Sequence, residues 1–195
     1  MDPLLPLMSF AFVQSITPGP NNVMLSASGV AFGLRRTLPH LFGVAVGFFL
    51  LLAVCGAGVG ALIVELPLLG FALKVAGTAY LLYLAWLMRN AFAPQTTAST
   101  RPLTFGEAVA FQFVNPKAWV MGVTAASVFV PDVQPRWTAI ALMCTVCALI
   151  NLPCICTWAV LGASFKRWLA NERLRRWVGG VLVVLTAYSV VAIWL

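Results

Sequence analysis

The chain has 195 residues, of which 62% are hydrophobic and 9% are charged, and its mean hydropathy is +0.97. Soluble domains carry about 25% charged residues, so 12 basic and 5 acidic side chains could not cover a water-soluble globule of this size. Composition therefore excludes a soluble protein and favours one whose surface is mostly solvated by lipid. The net charge of +7 comes from basic residues scattered in short groups, which argues against a nucleic-acid-binding face.

Apolar runs long enough to cross a bilayer recur along the chain. A transmembrane helix needs about 20 predominantly apolar residues. Six runs have about this length: residues 4–30, 38–64, 68–88, 104–130, 137–165 and 178–195. Because the first positive residue is Arg35, the first run lacks the basic start of a cleaved signal peptide and is expected to remain as a span. The pattern predicts an all-α integral membrane protein with six transmembrane helices.

Charges between the runs predict the orientation in the membrane. The first, third and fifth connections hold these basic residues: Arg35, Arg36, Arg89, Arg101, Lys166, Arg167, Arg173, Arg175 and Arg176. The connections on the opposite side hold one basic residue, Arg136. Since cytoplasmic loops are enriched in Lys and Arg, both termini are expected outside the cytoplasm.

The first three runs and the last three follow one plan, in which a helix broken at proline precedes a long helix and a shorter one. Pro18 and Pro116 occupy matching positions in the two halves. The expected organisation is a first repeat at 1–90, a cytoplasmic linker at 91–103 and a second repeat at 104–195, together one transporter domain. Because three spans is an odd number, the second copy enters from the opposite side, which makes the two repeats inverted.

The two breaks are the candidate site. Proline has no N–H and leaves the carbonyl four residues earlier without its helical partner, a costly state inside a membrane. A new helix start offers N–H groups that suit an anion, while the end of the preceding half offers carbonyls that suit an ammonium group. Matching breaks near the midplane are typical of a transporter site. The alternative is a kink that only shapes packing, which is the preferred interpretation for Pro153.

Thirteen residues are predicted to bind a substrate at or near these breaks: Gln14, Thr17, Pro18, Gly19, Pro20, Asn21, Asn22, Tyr80, Gln112, Asn115, Pro116, Lys117 and Asn151. Lys117 is expected to contact a substrate carboxylate or to carry a coupling proton, because a lysine at membrane depth is costly. Its alternative role is a structural bond to free backbone carbonyls, or snorkelling to the surface. For the buried amides, hydrogen bonding between helices is an adequate alternative without a ligand.

Other functions remain as alternatives. Cys144 and Cys147 could serve a membrane thiol relay, although packing in an apolar helix is the simpler interpretation. A membrane scaffold without transport is the other alternative. No metal cluster, cofactor motif or acid–base pair can be assembled around the single histidine, His40, so an enzyme is not expected. Glycines at 43, 47, 56 and 60 have the spacing of close helix packing, within the subunit or in a homodimer.

Three motifs carry a resemblance to a known family. They are Thr17-Pro18-Gly19-Pro20-Asn21-Asn22, Gly77-Thr78-Ala79-Tyr80-Leu81, and Phe111-Gln112-Phe113-Val114-Asn115-Pro116-Lys117. The sequence resembles the LysE/RhtB family of amino-acid exporters, and the likeness covers essentially the whole chain. The double asparagine and the segment before Pro116 resemble the cysteine/O-acetylserine exporter branch. The resemblance implies a multi-pass permease of the bacterial inner membrane that exports amino acids or close derivatives, coupled to the proton motive force.

Overall fold

The computed structural model describes residues 4–59, 101–130 and 134–165 continuously. It also describes these isolated positions: 65, 66, 68, 71, 72, 75, 78, 79, 82, 180, 181, 184 and 191. Every regular element in the continuous ranges is helical. In chain order these are α1 (Leu4–Ile16), α2 (Pro20–Phe32), α3 (Leu34–Val54) with a π-helical continuation (Cys55–Val59), α4 (Phe105–Gln112), α5 (Pro116–Val128) and α6 (Arg136–Phe165).

Two of the described helices are long and apolar enough to cross a bilayer. They are Leu34–Gly58, with a mean hydropathy of 2.4, and Arg136–Ser164, with a mean hydropathy of 2.3. Large apolar side chains face outward, among them Val120 at 62% exposure and Leu149 at 66%. Since exposed apolar surface is favourable only against an apolar solvent, this pattern fits a bilayer.

Four of the six predicted spans fall within the described ranges. Helices α1 and α2 occupy the first run, α3 the second, α4 with α5 the fourth, and α6 the fifth. The third run at 68–88 and the sixth at 178–195 lie mostly outside the described residues. The same holds for most of the predicted linker at 91–103.

The described helices enclose two apolar clusters, one toward each end of the long helices α3 and α6. In the first cluster, α1 and α5 pack on α3 and α6 through side chains that include Leu7, Leu51, Met121 and Met143. In the second, α2 and α4 pack on the same two helices through Leu25, Leu41, Ala108, Ile155 and other side chains. The breaks between α1 and α2, and between α4 and α5, therefore lie at the level where one cluster gives way to the other.

Two of the small-residue positions on α3 bring it close to α4. A Cβ on Gly47 would lie 2.8 Å from the Cα of Val109, and a Cβ on Gly43 would collide with the backbone of Phe105. The glycine spacing therefore serves packing within the subunit at these positions. Gly60 lies outside the described residues.

The start of α4 is fixed by a capping box, in which each of two residues satisfies the backbone of the other. The hydroxyl of Thr104 accepts from the Glu107 N–H at 3.3 Å, and the Glu107 carboxylate accepts from the Thr104 N–H at 2.8 Å. Arg101 donates to the same carboxylate at 2.7 Å. These contacts fix the residue at which α4 begins.

Candidate site at the two helix breaks

The first break separates α1, which ends at Ile16, from α2, which begins at Pro20. Gly19 is the N-cap of α2 and adopts an extended conformation with φ −169°. Proline suits the first helical position because its missing N–H would be unpaired there in any case. Asn21 and Asn22 follow in the first turn of the new helix.

The carbonyls at the end of α1 are all satisfied, two of them by residues distant from the helix end. A helix normally leaves its last four carbonyls without helical partners. Here Val13 accepts from the Thr17 N–H at 3.1 Å, Gln14 from the Thr17 hydroxyl at 3.1 Å, Ser15 from the Asn22 amide at 2.8 Å and Ile16 from the Trp158 indole at 3.1 Å. Side chains of α2 and α6 therefore stabilise the end of α1 at the break.

The second break separates α4, which ends at Gln112, from α5, which begins at Pro116. The Gln112 carbonyl accepts from the Asn115 N–H at 3.3 Å, which closes the turn. Asn115 then caps α5, because its side chain accepts from the Lys117 N–H at 3.2 Å. Asparagine is among the preferred N-cap residues for this reason.

Lys117 joins the two breaks. Its Nζ donates to the Thr17 carbonyl at 3.1 Å, the Thr17 hydroxyl at 3.0 Å and the Pro18 carbonyl at 3.3 Å. The side chain crosses Gly19 so closely that a Cβ there would lie 2.8 Å from the Lys117 Cδ. The ammonium group starts from the positive end of α5 but sits beside the negative end of α1, where the helix dipole is favourable. In this conformation Lys117 has the backbone-binding role, which was the alternative to contact with a carboxylate.

A second contact between the breaks pairs Asn21 with Gln112. The Asn21 amide donates to Gln112 Oε1 at 2.8 Å, and the Gln112 amide donates back to Asn21 Oδ1 at 3.0 Å. Gln112 is fully buried and also donates to the Ala108 carbonyl at 3.1 Å. Asn21 is the second residue of α2, and Lys117 is the second residue of α5. Asn21 contacts the end of α4, and Lys117 contacts the segment that follows α1.

A polar cavity of about 20 Å³ lies where these contacts meet. That volume holds about one water molecule and is far too small for a free amino acid, so the cavity must widen to bind one. The lining residues are Gln14, Ser15, Gly19, Pro20, Asn21, Asn22, Phe48, Asn115, Lys117, Ala118, Met121 and Asn151. Phe48 and Asn151 both lie near the middle of their long helices, which places the cavity at mid-membrane depth.

The structure brings most of the predicted site residues together. Eight of the thirteen line the cavity: Gln14, Gly19, Pro20, Asn21, Asn22, Asn115, Lys117 and Asn151. Thr17, Pro18 and Gln112 bond to lining residues, and Pro116 is buried at the start of α5. Tyr80 lies outside the described residues.

Four lining residues were missed in the sequence: Ser15, Phe48, Ala118 and Met121. Ser15 adjoins a predicted residue, and its burial could have been inferred from its place one turn before the break. Phe48 and Met121 are ordinary apolar positions on helix faces, and no local pattern marks them. Their role depends on which helices meet at the cavity.

Two described buried side chains have polar atoms without a hydrogen-bond partner, namely His40 and Asn151. Both ring nitrogens of His40 are unpaired, but His40 is not among the cavity residues. Asn151 donates from Nδ2 to the Ser15 hydroxyl at 3.1 Å, and its Oδ1 has no partner. Of the two, Asn151 alone lines the cavity.

Cys144 and Cys147 lie in the first apolar cluster, at 1% and 2% exposure, and both are free thiols. They pack against α3 and α5. A thiol relay needs a sulfur that a partner can reach, so these surroundings favour the packing interpretation.

Comparison with known sequences gives the family. Residues 12–193 match the family described as LysE type translocator. The chain belongs to this family. The translocator is therefore a transporter and not an enzyme.

Curated relatives of this LysE-type translocator match over nearly the whole chain. A cysteine/O-acetylserine efflux protein of Klebsiella pneumoniae subsp. pneumoniae is 33% identical over 189 residues, with 94% of each chain covered. Efflux proteins of the same name from Escherichia coli O1:K1 and Salmonella choleraesuis are each 30% identical over 187 residues, covering 95% of this chain and 94% of theirs. No solved structure matches the chain.

Proposed function

We propose that this translocator is a secondary transporter of the bacterial inner membrane that exports amino acids or close derivatives, cysteine and O-acetylserine among them, from the cytoplasm. The observation that carries the proposal is the polar cavity bounded by both helix breaks. The names of the curated relatives support the substrate class. The cavity residues are the proposed substrate site, with Tyr80 retained from the sequence motif.

We also propose the six-span architecture with two inverted repeats, at 1–90 and 104–195. The two apolar clusters support it, because exchanging α1 with α4, α2 with α5 and α3 with α6 turns one cluster into the other. The contacts of Asn21 and Lys117 across the breaks exchange in the same way. Rocking one repeat against the other would open the cavity alternately to the two sides.

Lys117 is the proposed partner of the substrate carboxylate. It is the one charged side chain among the described lining residues, and its present partners are neutral oxygens of Thr17 and Pro18. A carboxylate carries a full negative charge and therefore attracts the ammonium group more strongly than neutral oxygens do, so a substrate that enters a widened cavity can replace Thr17 and Pro18 as the partner of Lys117. The energy source that we propose is the proton motive force, which the family resemblance suggests.

The test is export from intact cells. Cells that overproduce the wild-type chain are expected to accumulate cysteine or O-acetylserine outside, and cells with equal membrane levels of Asn115→Ala are expected to accumulate much less. Gly106→Ala is the matched control, because a Cβ at Gly106 meets nothing within 4 Å. A protonophore should stop export if protons drive it. Equal external profiles for wild type and Asn115→Ala would count against export through this cavity.

A further inference from the structure

One of the described residues that line the cavity, Asn151, carries a buried hydrogen-bond acceptor without a partner. Asn151 is 6% exposed and its Oδ1 has no partner. In this structure its Nδ2 donates to the Ser15 hydroxyl at 3.1 Å, which leaves Oδ1 as the unpaired end of the amide. An unpaired buried acceptor is destabilising, and a native protein keeps one where a water or a ligand uses it.

The backbone carbonyls at the end of α1, which could bind a positively charged ligand, already accept hydrogen bonds. At the end of α1, the Ser15 carbonyl accepts from Asn22 and the Thr17 carbonyl accepts from both Asn22 and Lys117. The remaining carbonyls there accept from donors at 3.1–3.3 Å, as described above. None of the described lining residues is a carboxylate. An ammonium group that enters the cavity must therefore be held by neutral oxygens, and Asn151 Oδ1 is a fully buried one that has no partner.

We propose that Asn151 Oδ1 accepts a hydrogen bond from the α-ammonium group of the exported amino acid, with Ser15 as the positioning residue that orients the amide. The inference rests on the proposed export function. It gives the bound substrate a direction, with its carboxylate toward Lys117 on α5 and its ammonium group toward α6. A neutral acceptor holds an ammonium group less tightly than a carboxylate would, which suits a carrier that must release its cargo.

The test compares cysteine with two analogues that each lack one charged group. In 3-mercaptopropionate the amine is missing, and in cysteamine the carboxylate is missing. The full chain is reconstituted in liposomes, and each compound competes against labelled cysteine, with ligand-induced thermal stabilisation as a second readout. Wild type should prefer cysteine to 3-mercaptopropionate by roughly tenfold or more, the size of one hydrogen bond to a charged group.

Asn151→Leu should reduce this preference to about one while 3-mercaptopropionate competes as before and cysteamine still competes less well than cysteine. Asn151→Asp, which keeps an acceptor, should retain the preference for the amine. Ser15→Ala should lower it several-fold, because the amide loses its fixed orientation. If Asn151→Leu does not fold, Asn151→Asp and Ser15→Ala provide the test.

A full preference for cysteine over 3-mercaptopropionate in Asn151→Leu would overturn the assignment, and so would its loss in Asn151→Asp. In both cases the wild-type protein still transports, so the proposed function survives. A wild-type chain that transports no amino acid would instead remove the proposed function.

Discussion

The ammonium group of Lys117 links the two halves of the described structure, because α5 carries it and the end of α1 binds it. Lys117→Met keeps most of the apolar stem and removes the donors. We expect it to lower the free energy of unfolding by about 1–3 kcal/mol, since the Pro18 carbonyl loses its donor and the Thr17 carbonyl keeps only the bond from Asn22, and to abolish export. Thermal unfolding in detergent and cellular export measure the two effects.

Arg136→Met is the matched control, because it removes the same charge from an exposed position at the start of α6. It should leave both stability and export close to wild type. Unchanged melting and unchanged export in Lys117→Met would contradict both the structural contact and the proposed role in substrate binding.

The amide pair of Asn21 and Gln112 allows a sharper measurement, since each side chain is the other's partner. Asn21→Ala and Gln112→Ala should each destabilise the protein, and the double variant should cost less than their sum by about 0.5–1.5 kcal/mol. The remaining cost of Gln112→Ala reflects its bond to the Ala108 carbonyl. A double-mutant cycle of unfolding free energies checks this, and strict additivity would exclude the pair as a link between the breaks.

At the scale of elements, the packing of α3 on α4 depends on the absence of a side chain at Gly47. Alanine there should destabilise by about 1–3 kcal/mol through overpacking, which exceeds the gain of about 1 kcal/mol from its better helix propensity. Gly106→Ala in α4 gains the propensity without a collision, because nothing lies within 4 Å. Its melting temperature should equal or exceed that of wild type. A stabilised Gly47→Ala would show that α3 and α4 are not in close contact.

Part of each helix break follows from local chemistry. Pro20 and Pro116 begin new helices, at a position where the missing N–H has no helical partner to lose. Pro39 and Pro153 lie inside α3 and α6, so proline alone does not determine a break. The sequence does not predict which residues donate to the freed carbonyls. The indole of Trp158 reaches the Ile16 carbonyl from 142 residues along the chain, and only the packing of α6 against α1 brings them together.

Some cavity residues can likewise be recognised in the sequence, and others cannot. The amides and Lys117 are conspicuous because polar groups are costly at membrane depth. Phe48 and Met121 resemble any other apolar residue until α3 and α5 meet. The role of Lys117 shows a second limit, since its position in α5 suggests an unfavourable dipole, and the end of α1 that relieves it is a tertiary partner.

For the whole molecule, the distribution of basic residues predicts that both termini lie outside the cytoplasm. Alkaline phosphatase fused after Leu195 should therefore be active, and a green fluorescent protein fused at the same place should be dark. The same fusions placed within 91–100 should give the opposite results. A fluorescent C-terminal fusion would contradict the predicted orientation.

The cavity of about 20 Å³ must widen during transport, and α5 offers a matched pair of positions to detect the change. Ala118 and Ala125 are both buried in the first apolar cluster, at 2% and 1% exposure, but only Ala118 of the two lines the cavity. A thiol at Ala118→Cys should react slowly with a small maleimide at rest and faster during export, because each opening admits the reagent.

Ala125→Cys should stay unreactive in both conditions, and Gln134→Cys, at an exposed position between α5 and α6, should react in both. The wild-type chain gives the background, since its described cysteines are buried or half-buried. Reagent added from either face of the membrane should reach Ala118→Cys if the repeats rock as proposed. Reaction from one face only would indicate a binding pocket that does not open alternately to the two sides of the membrane. Equal protection of Ala118→Cys and Ala125→Cys during export would place the transport route elsewhere in the molecule.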